Sequence, residues 1–196
     1  MTEYMLRSAR FLCAEALERI LSPGDRVIDA TMGNGHDTLR LCELVGEEGH
    51  VDAFDIQQLA LDRTMARLRE SGLDDRVSLH LTGHENMEEF VTPGVDLTVF
   101  NLGWLPGSPD KTVTTRLETT LRALEAALRI ARKGGLITVC AYPGHAEGQR
   151  ELDSILAWTE RLRSDEVQVM LQRYVNQPSA PALLALVKLK EQVTLP

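Results

Sequence analysis

Val27-Ile28-Asp29-Ala30-Thr31-Met32-Gly33-Asn34-Gly35-His36-Asp37-Thr38 decides the fold. A short apolar run enters a turn with two glycines, and the turn opens into a helical pattern. Glycine lets a backbone approach a ligand closely, and a helix start presents free N–H groups. An α/β sheet receives a nucleotide-like ligand in this way. The same glycines also suit a plain tight turn between strand and helix.

Working outward, residues 1–21 read as an amphipathic helix, with Met5, Leu12, Ala16, Leu17 and Ile20 at helical spacing before Pro23-Gly24. Strands are expected over residues 26–30, 50–54 and 76–81, with helices over 36–45 and 57–71 between them. Gly83-His84-Glu85-Asn86 reads as a loop. The nearly all-apolar run 95–100 suits a central parallel strand. Thr115-x-x-Glu118 has the form of a capping box ahead of a long helix, which Lys133-Gly134-Gly135 should end. A fifth strand follows over 136–142, a last helix over 147–162, and two closing strands over 167–175 and 182–188. Alternating strands and helices dictate a doubly wound α/β, Rossmann-like seven-stranded sheet, mostly parallel, with the last strand antiparallel because its connection is short. The expectation is one domain over residues 1–196, with 1–22 as an N-terminal helix packed on it. Ligands of such sheets sit beyond the carboxyl ends of the strands. Segments 33–37, 55–57, 83–84, 101–104, 142–145 and 176–177 should therefore share one rim.

The formal charge of −8 over 196 residues gives no general coat for nucleic acid. Most of the cationic residues are arginine, which suits phosphate, so a local basic face stays open. Cys13, Cys42 and Cys140 are scattered without metal-ligand spacing, and His36, His50 and His80 show none either. No metal is assigned, and reduced thiols fit a cytoplasmic protein. No apolar run is long enough for a bilayer, so no membrane partner is expected.

The turn admits two nucleoside ligands. A dinucleotide would want a third glycine at position 38, where Thr38 stands. The other pattern, with Asp29 ahead of Gly33 and Gly35, resembles the acidic-x-Gly-x-Gly-x-Gly turn of S-adenosylmethionine-dependent methyltransferases, with Thr31 in place of the first glycine. Asn34 and Asp37 would then face the amino-acid end of the cofactor. Asp55, at the end of the second strand, can accept both ribose hydroxyls; a helix N-cap is its other use. Gln57 adds a polar contact nearby. His84 lies where an adenine edge would come, or is a surface loop histidine. Asn101-Leu102-Gly103-Trp104 keeps the ends of the Asn/Asp-Pro-Pro-aromatic tetrad of amino-group methyltransferases. There the amide oxygen would accept from the target amine, and Trp104 would stack on a base. Trp104 also suits a core or lid position, and Asn101 a turn. His145, after Tyr142-Pro143-Gly144, is a candidate general base or a structural residue. Lys111 and Arg116 are candidate phosphate ligands, with Tyr142 and Asn176 completing the substrate side; Arg122 reads as part of a solvated helix face.

Taken together, the stretch from Asp29 to Thr38, Phe54-Asp55-Ile56-Gln57, the stretch from Asn101 to Gly107, Asp110-Lys111, Tyr142-Pro143-Gly144-His145 and Asn176-Gln177 resemble the YtqB-like class I methyltransferases, a family formerly labelled rRNA methylases. The resemblance implies S-adenosylmethionine as cofactor, at Asn34, Asp37, Asp55, Gln57 and His84. It implies tRNA, at the anticodon, as partner: MnmM-type members methylate the 5-aminomethyl group of 5-aminomethyl-2-thiouridine at the wobble position. Trp104 stands where the family usually has tyrosine, and Ser108-Pro109 where a glycine pair is common. Other readings are methylation of rRNA or of a small amine, an NAD-type oxidoreductase, and a non-catalytic RNA-binding module. A homodimer is compatible with all of them.

Overall fold

A computed structural model describes residues 17–110 and 112–196. The expected helix over 1–21 thus lies mostly outside the described residues. Residues 17–20 are helical, and Leu17 packs with Val27, Leu41 and Val45.

The elements run β1 (Arg26–Asp29), α1 (His36–Val45), β2 (His50–Asp55), α2 (Gln58–Ser71), β3 (Val77–Leu81), β4 (Val95–Asn101), α3 (Leu117–Ile130), β5 (Ala131–Ala141), α4 (Ala146–Thr159), β6 (Val167–Gln172) and β7 (Ala182–Lys188). They form one seven-stranded sheet in the order β3-β2-β1-β4-β5-β7-β6. The pairs among β1 to β5 are parallel, and β7 is antiparallel to both β5 and β6. The last strand is therefore inserted between the two before it. β1 and β4, central in the order, are buried almost throughout, because helices cover both of their faces. One core cluster joins Ile28, Phe100 and Ile137 to α3 and α4. Another joins Val27, Val51 and Leu97 to α1 and α2. The carboxyl ends of β1, β2, β4 and β5 consequently lie side by side, which brings Asp29, Asp55, Asn101 and Tyr142 to one edge.

Three local expectations need correction. The stretch Gly83 to Asn86, read as a loop, leads into a short 3-10 helix over His84–Glu89 that packs against α3. The Thr115–Glu118 pair does not cap α3: Arg116 takes the N-cap position, with no side-chain cap, and the Thr115 hydroxyl serves elsewhere. Lys133-Gly134-Gly135 does not end α3 either. The helix stops at Ile130, where Gly94 N–H takes the Ile130 carbonyl at 2.8 Å. The glycines lie inside β5, in a bulge: β5 advances from Ala131 to Leu136 while β4 advances only from Val95 to Leu97. A Cβ on Gly135 would stand 2.9 Å from the carbonyls of Arg132 and Val95, so the bulge needs a residue without one.

The buried Lys188 ammonium of β7 closes this junction, donating to the carbonyls of Arg129 (3.1 Å) and Ala131 (2.7 Å). Lys188→Met keeps the stem and removes the donor, so the helix-end carbonyls lose their partner. Stability should fall by about 1–3 kcal/mol. Urea unfolding measures it, and an unchanged midpoint would refute this role.

Candidate active site

The glycine turn is held by a buried carboxylate. Asp29, 1% exposed, accepts the Thr31 N–H on one oxygen at 3.1 Å and the Thr38 hydroxyl on the other at 2.7 Å. Burial raises its pKa to about 7, the charge of Asp37 adds to the rise and that of Asp55 contributes less, while the two hydrogen bonds oppose it. Gly35 has a φ of 75°, and a Cβ there would meet the Thr64 hydroxyl at 2.7 Å, so glycine is needed for both conformation and space. Asp29, expected to touch a cofactor, instead has both oxygens turned into its own turn and shapes it. Thr38, where a dinucleotide fold would have glycine, is its partner.

Asp55 closes the turn from β2. Its oxygens accept from Gly33 N–H at 3.2 Å and Gln57 N–H at 2.9 Å. Burial holds its pKa above the ordinary carboxylate value, against those hydrogen bonds. Each oxygen keeps a second lone-pair direction for a ribose hydroxyl. Gln57 Oε1 accepts from the Ser108 hydroxyl at 3.4 Å. Three carboxylates, Asp29, Asp37 and Asp55, therefore gather around the turn, and the charges of Asp37 and Asp55 both act on Asp29. A pyrophosphate would meet like charge there, whereas a cationic sulfonium and ammonium would meet opposite charge. The donor set fits S-adenosylmethionine and not a dinucleotide.

Asn34 is held by the loop after β4 and by α2. Its Nδ2 donates to the Pro106 carbonyl at 3.0 Å, and its Oδ1 accepts from Arg63 at 2.9 Å. Arg63 also donates to the carbonyls of Pro106 and Gly107 (3.3 and 3.2 Å). Arg63 was not singled out in the sequence; on a helix surface it looks like any solvated arginine. His84 departs from both of its sequence readings. The ring is buried, Nδ1 lies 3.1 Å from the Ala30 carbonyl, and its face meets Phe100 edge-on. Desolvation lowers its pKa. It is a neutral core residue beneath the turn rather than an adenine contact on the rim.

The acceptor side begins at Asn101. Its backbone N–H donates to the Thr31 hydroxyl at 2.7 Å, which ties β4 to the turn. Its side-chain Nδ2 donates to Asp37, which fixes the amide so that Oδ1 faces away from the carboxylate. Tyr142 hydroxyl donates to that Oδ1 at 3.4 Å. Trp104 is 49% exposed, and its ring centroid lies 5.6 Å from that of His145. His145 is not placed as a general base. It caps α4, its Nδ1 accepting from Gly148 N–H at 3.1 Å, so the proton of the neutral ring sits on Nε2 and no nitrogen is left to take another.

A cleft of roughly 400 Å³ opens beside this group, lined among others by Gly103, Thr115, Arg116, Tyr142, His145 and Glu151. Glu151 was missed in the sequence. It accepts from Thr120 at 2.9 Å and from Thr115 at 3.2 Å, and Thr115 in turn accepts from Gly103 N–H at 3.0 Å. Burial raises its pKa. The available signal was its place on the apolar face of α4, in step with Gly148, Leu152 and Ile155. Asn176 is exposed in the β6–β7 loop, away from these hydrogen bonds. Arg122 pairs with Glu85 at 3.5 Å, on the outer face of α3. Lys111 lies outside the described residues.

A family model described as "Putative rRNA methylase" matches residues 51–188. The chain is 38% identical over 181 residues to the chloroplastic tRNA (mnm(5)s(2)U34)-methyltransferase of Arabidopsis thaliana, which covers 87% of this chain and 66% of that protein. It is 30% identical over 125 residues to the ribosomal protein L11 methyltransferase of Bacillus cytotoxicus, over 64% of this chain and 34% of that one. It thus spans just under two thirds of the first relative's length and about one third of the second's. Among solved structures it is similar to an rRNA methylase of Clostridium thermocellum: 35% identity, TM-score 0.91, 94% of this chain and 100% of that one. A methyltransferase of Streptococcus mutans, solved in complex with SAH, has 33% identity and a TM-score of 0.84, over 94% of this chain and 100% of that one.

Asp29 supplies a pH test of the turn. It holds its proton more tightly folded than unfolded, so its contribution is fully present below the unfolded pKa near 3.8 and is lost as pH rises through about 7. Asp29→Asn cannot ionise. Relative to the variant, the wild-type protein should lose stability across about pH 4 to 7. Parallel stability curves for the two proteins would refute the buried, proton-holding carboxylate.

Proposed function

The chain belongs to the rRNA methylase family, with the class I methyltransferase fold, and from that premise we propose that it is an S-adenosylmethionine-dependent tRNA methyltransferase acting on the 5-aminomethyl group of 5-aminomethyl-2-thiouridine at the wobble position. The observation that carries the amine chemistry is the hydrogen-bonded line Asp37–Asn101–Tyr142, which runs from the glycine turn to the cleft. The name of the 38% identical plant relative supports the nucleoside.

S-adenosylmethionine supplies a methyl group already activated on a sulfonium. Asp55 would accept from the ribose, and the Gly33–Gly35 turn would hold the methionine end. Asp37 spends one carboxylate oxygen on the Asn101 amide, so the group presented to the acceptor is a neutral carbonyl oxygen. That matters because the nucleophile must be an uncharged amine, and a bare carboxylate would stabilise the ammonium instead. Asn101 Oδ1 carries Tyr142 on one lone pair and offers the other to an amine N–H, which turns the nitrogen lone pair toward the methyl. Trp104, exposed at the mouth, supplies a stacking face for the base. Glu151, through Thr115, holds the Gly103 backbone beside it. Rate enhancement then rests on proximity and on exclusion of water rather than on a general base.

Asp55→Ala should abolish S-adenosylmethionine binding in calorimetry, and unchanged affinity would sink the cofactor site. Asn101→Ala should keep cofactor binding and lower kcat by about 10²-fold or more; normal turnover would remove its role. Cells lacking the protein should accumulate 5-aminomethyl-2-thiouridine in their tRNA. An unaltered nucleoside profile by mass spectrometry would exclude this substrate.

A further inference from the structure

The described arginines differ in what they hold, and Arg63 and Arg67 hold the glycine turn. Arg40, Arg76, Arg129, Arg132 and Arg163 each hold a carboxylate. Arg116 and Arg150 do not: among the described residues neither side chain has an ion pair or a hydrogen bond, and both line the cleft beside Asn101 and Tyr142. They come from different elements, Arg116 from the entrance to α3 and Arg150 from the second turn of α4. Two carboxylates share the lining. Glu151 is engaged by Thr115 and Thr120, and Glu147 is exposed in the first turn of α4, where the helix dipole already favours it.

We propose that Arg116 and Arg150 form a two-sided phosphate clamp, one guanidinium for the phosphodiester on each side of an unpaired nucleotide seated in the cleft. This rests on the RNA reading above and narrows it. The cleft, at roughly 400 Å³, is of the size that takes a small ligand and no duplex. A guanidinium is weakly hydrated and binds phosphate oxygens in pairs, so two idle ones from different elements lining a small cleft match a ligand with two anionic ends. A free nucleoside or a small amine offers no phosphate and would leave both arginines idle. A chain of net charge −8 has no general attraction for a polyanion, so the attraction must be local, and these side chains supply it where the base enters.

The test is methyl transfer to an anticodon stem-loop RNA carrying 5-aminomethyl-2-thiouridine, over a series of salt concentrations. Arg116→Ala and Arg150→Ala should each raise KM for the RNA about tenfold. Each should also reduce the slope of log(kcat/KM) against log salt by about 0.7, the value for one single-strand phosphate contact. Arg150→Lys should keep most of the slope, because the charge remains. Arg161→Ala, at the far end of α4 from the cleft, should follow the wild-type protein. All three sites are exposed, and thermal melting verifies that each of the four variants folds. Wild-type transfer with KM and slope unaltered in both cleft variants would overturn the clamp alone. A wild-type protein that binds S-adenosylmethionine yet methylates no such RNA would overturn the substrate reading, and the clamp would fall with it.

Discussion

A single buried carboxylate sets the rest of the site. Asp29 at the end of β1 has no water to solvate it, so both oxygens must find donors within the turn. Thr31 N–H and the Thr38 hydroxyl are those donors. Once Thr31 is held this way, its own hydroxyl takes the backbone N–H of Asn101. Once the turn is closed, Gly33 N–H reaches Asp55. The ends of β1, β2 and β4 are thereby locked to one another by groups that surround Asp29. The two threonines that break the usual glycine pattern are the residues that do the locking. Glycine at either position would remove a hydroxyl and leave a buried oxygen or amide without its partner.

The charge distribution follows from the same economy of partners. The turn collects carboxylates, whose mutual repulsion is tolerable because one of them is buried with a proton to hold and another is spent on an amide. Arg40, Arg129 and Arg163 are neutralised in pairs at the surface, where each pair contributes little to stability. Net charge over the whole chain therefore says little about the field at any one cleft.

Much of the fold was legible because periodicity is local. The bounds of α1 and β7 were read as they occur, and the nearly all-apolar run of β4 marked it as central. The insertion of β7 between β5 and β6 was not legible, since pairing over distance leaves no mark in either strand alone. Local motifs misled where a distant residue competed for the same atoms. Thr115 looked like a cap until Glu151, on another helix, engaged its hydroxyl. Lys133-Gly134-Gly135 looked like a helix stop because bulges and helix ends both need residues without a Cβ. In the site, Asp55, Asn101 and Tyr142 were legible from their places at strand ends. His84 and His145 were not, because a histidine's role depends on which nitrogen is already engaged, and that is decided by backbone groups elsewhere.

The stretch after β4 is unevenly tethered. Asn101 is pinned to Thr31 and Asp37, the Pro106 carbonyl to Asn34 and Arg63, and Ser108 to Gln57. Among the described residues of 109–112 the bonds are short-range, such as the N–H of Thr112 to Asp110, before Thr115 ties the chain back to Gly103 and Glu151. Mutational tolerance should be graded accordingly along a few residues of one loop. Changes near its start would disturb both ligand sites together, whereas changes at Pro109 to Thr112 would alter only what meets the incoming molecule. A lineage could thus exchange one acceptor for another by drift in that outer span, leaving the machinery that activates the methyl group untouched.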